Sequence, residues 1–274
     1  MDKILKVENL TKKFKKRNLF SSDSDEITAV DKVNFSVNRG EILAIAGQSG
    51  SGKSTIAKII LRAIEPDSGK IFYDDKEIKS NSDGLKKFRM KCQMIYQDPY
   101  DSINPRMTIS DIVNEPLEIH NIGTKKERKQ MVIDTLRTVR LEPAEEISKK
   151  YPHMLSGGQR QRVVIARAIV VKPEIIIADE PVSMLDVSIR AEVLELMKEI
   201  QLKNNISMIY ITHDLATAKH FADNILILNS GKVMEVGLID KVLSDPENPY
   251  TKALISAILE PDPNNLYKER KILM

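Results

Sequence analysis

The segment Gly47-Gln48-Ser49-Gly50-Ser51-Gly52-Lys53-Ser54 constrains this chain more than any other feature. It has the form G-x-x-x-x-G-K-[ST] and lies between an apolar run, Ile42–Ala46, and a helical run, Thr55–Ala63. Strand, glycine-rich turn and helix in that order make a phosphate-binding loop. The glycines let backbone N–H groups turn inward on a phosphate, and the helix N-terminus adds partial positive charge. Lys53 supplies a full charge to the outer phosphate oxygens, and the Ser54 hydroxyl can ligate Mg²⁺ beside them. The expectation is a nucleotide site.

Composition narrows the classes that can carry such a loop. The 274 residues make one large domain, or one with a subdomain, at about 150 residues per domain. Lys and Arg number 42 against 39 Asp and Glu, and a net charge of +3 is too small to argue for a nucleic-acid binder. The single cysteine, Cys92, excludes a disulfide framework, a Cys-based zinc site and a four-cysteine iron–sulfur cluster; in an apolar stretch it reads as core. The start MDKILKVENL has no secretory h-region, and no apolar run is long enough to span a membrane. An intracellular chain, soluble or held to a membrane by a partner, is expected.

Further short apolar runs read as buried strands: Ile175–Ala178, Ile206–Thr212 and Ile225–Leu228. Val187–Asn204 carries Ile189, Val193, Leu196, Met197 and Ile200 at helical spacing, so strands alternate with helices as in parallel βαβ units. The beginning differs. Ile27–Val37 and Lys70–Ile78 alternate apolar and polar residues, and Tyr73-Asp74-Asp75-Lys76 is turn-like, which predicts antiparallel ribbons. Residues 98–148 are rich in helix formers and charge and read as a helical insertion. Asn18–Glu26 reads as a mobile loop, and no repeat or heptad run is visible.

Two more motifs carry chemistry. Ile175-Ile176-Ile177-Ala178-Asp179-Glu180 ends an apolar strand in two carboxylates. Strand alternation puts them on opposite sides. Asp179 can then reach a Mg²⁺ shell while Glu180 polarises a water in line with the γ-phosphate. Leu155-Ser156-Gly157-Gly158-Gln159 precedes a helical run, Arg160–Val171, and makes a second anion-binding site at a helix N-terminus. Two phosphate-binding loops but only one lysine loop invite a composite site.

In this order of motifs the chain resembles the ATP-binding-cassette (ABC) ATPases over almost its whole length: phosphate loop, Gln97, LSGGQ, Asp179-Glu180, Ser183-Met184-Leu185-Asp186 and His213. The resemblance implies an α/β P-loop NTPase with a mixed core sheet, an antiparallel β subdomain and a helical subdomain at about 98–165, all within residues 1–245. It also implies ATP, Mg²⁺ and a head-to-tail dimer with two ATP molecules at the interface. Each would be held by Gly47, Gln48, Ser49, Gly50, Ser51, Gly52, Lys53, Ser54 and Thr55 of one subunit and by Ser156, Gly157, Gly158 and Gln159 of the other. Ser54, Gln97 and Asp179 would surround the Mg²⁺, and Glu180 would be the base. His213 would hold the γ-phosphate and orient Glu180, Asp186 would contact the partner's phosphate loop, and Phe14 would stack on adenine.

Finer resemblance points to one branch. Gln97 to Arg106 (QDPYDSINPR), Pro181 to Ser188 and Asn248 to Leu254 (NPYTKAL) look like the oligopeptide, dipeptide and nickel importers, and Pro261-Asp262-Pro263 fits their C-terminal extension, here 246–274. Such an ATPase sits peripherally on the cytoplasmic side of the cell membrane. Its partners are two permease subunits, a second ATPase subunit (itself or a paralogue) and an extracytoplasmic substrate-binding protein, with no nucleic acid. The region Asp98–Met107 would receive the permeases. The rival is a soluble ABC ATPase acting on nucleic acid or ribosomes, which commonly has paired cassettes or long coiled coils. Lys12–Arg17 reads as a solvated charged face, and His120, His153 and His220 have no ligand partners at useful spacing.

Overall fold

Ten strands and eleven α-helices make up the computed structural model, which describes residues 2–16, 25–79 and 83–259. The strands are β1 (Lys3–Lys16), β2 (Asp25–Asn38), β3 (Ile42–Ala46), β4 (Ser68–Tyr73), β5 (Lys76–Glu77), β6 (Cys92–Ile95), β7 (Ile175–Asp179), β8 (Ser207–Thr212), β9 (Asn224–Asn229) and β10 (Lys232–Leu238). The helices are α1 (Lys53–Ile60), α2 (Asp83–Lys91), α3 (Pro99–Ser102), α4 (Ile109–Ile119), α5 (Lys125–Thr138), α6 (Ala144–Ile147), α7 (Gly157–Ile169), α8 (Val187–Asn204), α9 (Leu215–Phe221), α10 (Ile239–Ser244) and α11 (Pro249–Leu259). Most of the serine-rich stretch Asn18–Glu26 and all of Pro261-Asp262-Pro263 lie outside the described residues.

The strands form two sheets. One is antiparallel in the order β2-β1-β4-β5; the other runs β10-β9-β3-β8-β7-β6 and is parallel except for β10. The ribbon expected over Lys70–Ile78 turns at Asp74 and Asp75, whose φ values of 50° and 58° are the left-handed pair that a tight hairpin requires.

The central sheet is buried on both faces, which is why its strands read as unbroken apolar runs. Period-two alternation sorts their side chains into two cores. Ile42 and Ala44 of β3, Ile176 of β7 and Tyr210 of β8 face the helices α4, α5, α7 and α8. Leu43 and Ile45, Ile177 and Ile211 face the other way, onto α1 and the apolar side of the antiparallel sheet. Cys92 is buried in that second core, and burial pushes its thiol well up, as expected of a packing residue. Helices fill residues 99–169 between β6 and β7, where the helical insertion was expected.

Candidate active site

Four of the parallel strands deliver their C-terminal ends to one place, where open parallel sheets form ligand crevices. From β3 comes the phosphate loop. Two of its glycines are dictated by close approach: a Cβ on Gly47 would stand 2.1 Å from the Leu228 carbonyl oxygen, and one on Gly52 (φ 106°) 2.2 Å from that of Ala29. The loop is thus wedged between β9 and β2, with Gly50 facing open space. Lys53 opens α1 and curls back, its Nζ donating to the Gly47 and Gln48 carbonyl oxygens at 2.8 and 2.9 Å. Burial pushes its ammonium down, against the opposing pull of Glu180 and Asp179. Ser51 Oγ is buried without a partner in the same loop. A buried cation resting on two carbonyls, beside an orphaned hydroxyl, fits an anionic ligand.

From β7 come the two acids. Ser54 Oγ donates to Asp179 Oδ1 at 3.1 Å. Burial raises the Asp179 carboxyl; Glu180 adds to that, while Ser54 and Lys53 oppose it. Ser54 and Asp179 are hard oxygen donors standing side by side. That fits Mg²⁺, which takes one or two carboxylates plus substrate phosphates and has little use for an all-protein cage.

Asp179 and Glu180 do separate, but not by strand alternation. β7 ends at Asp179, and Glu180 is already in a left-handed conformation, φ 47°. Its N–H donates to the Ile211 carbonyl oxygen of β8 at 2.9 Å, and its own carbonyl accepts the N–H and hydroxyl of Ser183. A non-glycine residue in this region carries strain that the surroundings must hold. The turn aims the carboxylate between two other strand ends. Gln97, beyond β6, donates Nε2 to Glu180 Oε2 at 3.1 Å, and His213, beyond β8, puts Nδ1 3.1 Å from Oε1. Glu180 is mostly covered while the His213 ring is open to solvent.

Glu180, Gln97 and His213 line one cavity of about 440 Å³ with Ser49, Gly50, Gly52, Lys53, Ser54 and Thr55, while Asp179 lines an adjoining one that shares Ser54 and Gln97. Ala29 of β2 also lines the first, a residue that sequence reasoning missed; a small side chain in an alternating strand carries no signal of what it will face. Phe14 does not line it. It lies on β1 opposite Ile27, partly exposed, with Lys12 Nζ 5.7 Å from its ring centre.

Ser156, Gly157, Gly158, Gln159 and Asp186 do not line the cavity either. They gather elsewhere. Ser156 caps α7, its hydroxyl accepting the Gln159 N–H at 3.3 Å while Gln159 Oε1 accepts the Ser156 N–H at 3.1 Å. A Cβ on Gly158 would meet Ile189 Cγ2 at 2.7 Å, and one on Gly157 would touch Leu185 at 3.7 Å. The start of α7 therefore lies flat on the start of α8, which Asp186 precedes.

A phosphate loop and an acidic strand end meeting at the C-terminal edge of a largely parallel sheet define a P-loop nucleotide hydrolase. The model of the ABC transporter family matches residues 30–183, more than half of the chain. An oligopeptide transport ATP-binding protein of Bacillus subtilis, OppF, is 43% identical over 96% of this chain and 85% of its own. Among solved structures, cbiO1 of Clostridium perfringens, part of the ABC transporter complex cbiONQ, superposes with a TM-score of 0.76 at 30% identity, over 89% of this chain and 92% of its own. The dimeric, post-hydrolysis form of the cassette MJ0796 bound to ADP and Pi superposes at 0.75 and 31% identity, over 86% and 98%. This chain belongs to the ABC transporter family, and it is an ATP-binding ATPase.

Proposed function

We propose that this chain powers an importer of oligopeptides or dipeptides, hydrolysing ATP at the cavity between its phosphate loop and Glu180. The observation that carries the chemical reading is the Glu180 carboxylate, gripped at 3.1 Å by both Gln97 and His213 at the mouth of the Lys53 loop. The likeness to the oligopeptide transport protein of Bacillus subtilis supports the cargo.

In this reading the loop N–H groups and Lys53 bind the phosphates, and Ser54, Asp179 and Gln97 hold Mg²⁺. The bound ion neutralises phosphate charge. Glu180 accepts the proton of the attacking water, and His213 orients Glu180 and reaches the γ-phosphate. Phosphoryl transfer asks the protein for little beyond this positioning and charge. The face made by Ser156, Gly157, Gly158, Gln159 and Asp186 is turned to a second ATPase subunit, completing the partner's site. The γ-phosphate links the two halves, so its loss removes the differential affinity that held them together.

Residues 1–245 act as the cassette, with 98–165 as its helical part and 246–274 as an extension. Two permeases dock on the helical part near Asp98–Met107, an extracytoplasmic binding protein delivers the cargo, and the chain sits on the cytoplasmic side of the membrane. No helix among the described residues is long and apolar enough to cross a membrane, in keeping with attachment through partners.

Glu180→Gln keeps the size of the side chain and removes the base. Turnover should fall at least about a hundredfold, while ATP binding persists and a dimer accumulates on size-exclusion chromatography with ATP. Hydrolysis at the unsubstituted rate would refute Glu180 as the base. The transport reading is tested by what co-purifies from gently extracted membranes: permeases support it, and ribosomes or nucleic acid overturn it.

A further inference from the structure

The N-terminus of α11 is fastened to β10. The Glu235 carboxylate accepts the backbone N–H groups of Glu247 at 2.9 Å and Asn248 at 3.1 Å. The Asn248 amide donates to the Met234 carbonyl oxygen at 3.0 Å, and its Oδ1 accepts the Tyr250 N–H at 2.8 Å. Thr251 is fully buried beside the same carboxylate. These bonds fix where Tyr250 enters the molecule. Its hydroxyl is buried and closes no hydrogen bond of normal geometry. The group facing it is the backbone N–H of Gln48, the second residue of the phosphate loop.

The same Gln48 presents its carbonyl oxygen to Lys53 Nζ at 2.9 Å. Behind the loop, the Gly231 N–H donates to the Ser51 carbonyl oxygen at 2.9 Å, so the β9–β10 hairpin that carries α11 is already bonded to the loop. A buried hydroxyl left without a partner is costly and such groups are few in native structures, so the Gln48 N–H is the donor this hydroxyl depends on.

We propose that Tyr250 is a positioning residue for nucleotide binding: its hydroxyl accepts the Gln48 N–H, setting the residue whose carbonyl parks Lys53. The C-terminal helix thereby reaches the nucleotide from behind the loop, touching no part of the ligand itself. The inference rests on residues 47–55 being the nucleotide loop.

The test uses the full chain and its Tyr250→Phe variant, which keeps the ring and removes only the hydroxyl. Each is titrated with ADP and with a non-hydrolysable ATP analogue in the presence of Mg²⁺, and each is melted without nucleotide. The expected result is that Kd rises about three- to tenfold for both ligands. Stoichiometry should stay the same, and the nucleotide-free melting temperature should not fall. Unchanged Kd overturns the proposal. So does a lower stoichiometry at unchanged Kd, which reports a misfolded fraction and a merely structural tyrosine. Failure of the unsubstituted chain to bind either ligand overturns the nucleotide-loop reading, and this inference with it.

Discussion

Each residue of the phosphate loop answers to a different constraint. Lys53 is held at the cavity by two carbonyls of its own loop. Lys53→Ala should weaken ADP binding by about ten- to a hundredfold, the scale of a hydrogen bond to a charged group, with the chain still folded by circular dichroism. Gly158 is set by packing as well as by any role towards phosphate, because Ile189 Cγ2 occupies the place of a Cβ. Gly158→Ala should therefore cost about 1–3 kcal/mol from overpacking. Ile189→Ala should cost less in that background than alone, and a double-mutant cycle by denaturant unfolding measures the difference. Additive effects would show that the backbone gives way instead.

Among the described residues, three helices start on reciprocal capping boxes: Thr108 with Asp111, Thr124 with Glu127, and Ser156 with Gln159. The pattern S/T-x-x-D/E/Q is readable in a sequence, and each box satisfies two backbone donors that would otherwise face water alone. The boxes differ in what else they serve. Thr124 opens α5, away from the cavity, and Thr124→Ala should cost about 1 kcal/mol of stability with ATPase activity unchanged. Ser156→Ala should cost a similar amount and also reduce turnover, because its hydroxyl stands on the face proposed to meet the partner's nucleotide. Melting curves and phosphate-release rates on both variants separate the two effects.

Across the whole molecule, Glu174 joins the two sheets. Lying just before β7, it is bonded by Lys91 at 2.9 Å, by Arg39 at 3.1 Å and by the Tyr73 hydroxyl of the antiparallel sheet at 2.9 Å. Burial pushes its carboxyl up, but the bonds from Lys91, Arg39 and Tyr73 outweigh burial and hold it below the usual range. A carboxylate depressed in the folded state stabilises above its unfolded pKa, about 4.3, and that contribution is lost as pH falls through the folded value. Glu174→Gln should thus lower the melting temperature at pH 7 and flatten its decline between about pH 5 and 3. An unchanged acid slope would place the acid sensitivity elsewhere.

The local chemistry was legible along the chain because it is local in sequence: the Gly47–Ser54 loop, the Asp179-Glu180 strand end, the Ser156–Gln159 cap and the α8 helix each lie within one short segment. The unbroken apolar runs of β3, β7 and β8 likewise announced a sheet buried on both faces. What the sequence alone could not supply is which distant groups meet. The aim of Glu180 depends on a left-handed turn held by Ile211, the glycines at 47 and 52 depend on carbonyls of Leu228 and Ala29, and Tyr250 reaches Gln48 from the last described helix. Phe14, which resemblance places at adenine, lies partly exposed beside Lys12 on an antiparallel strand whose bulges with β2 shift its register. Periodicity and motif spacing report bonds between neighbours along the chain. Contacts across the fold are set by packing, where shape and burial decide which of many compatible partners a side chain finds.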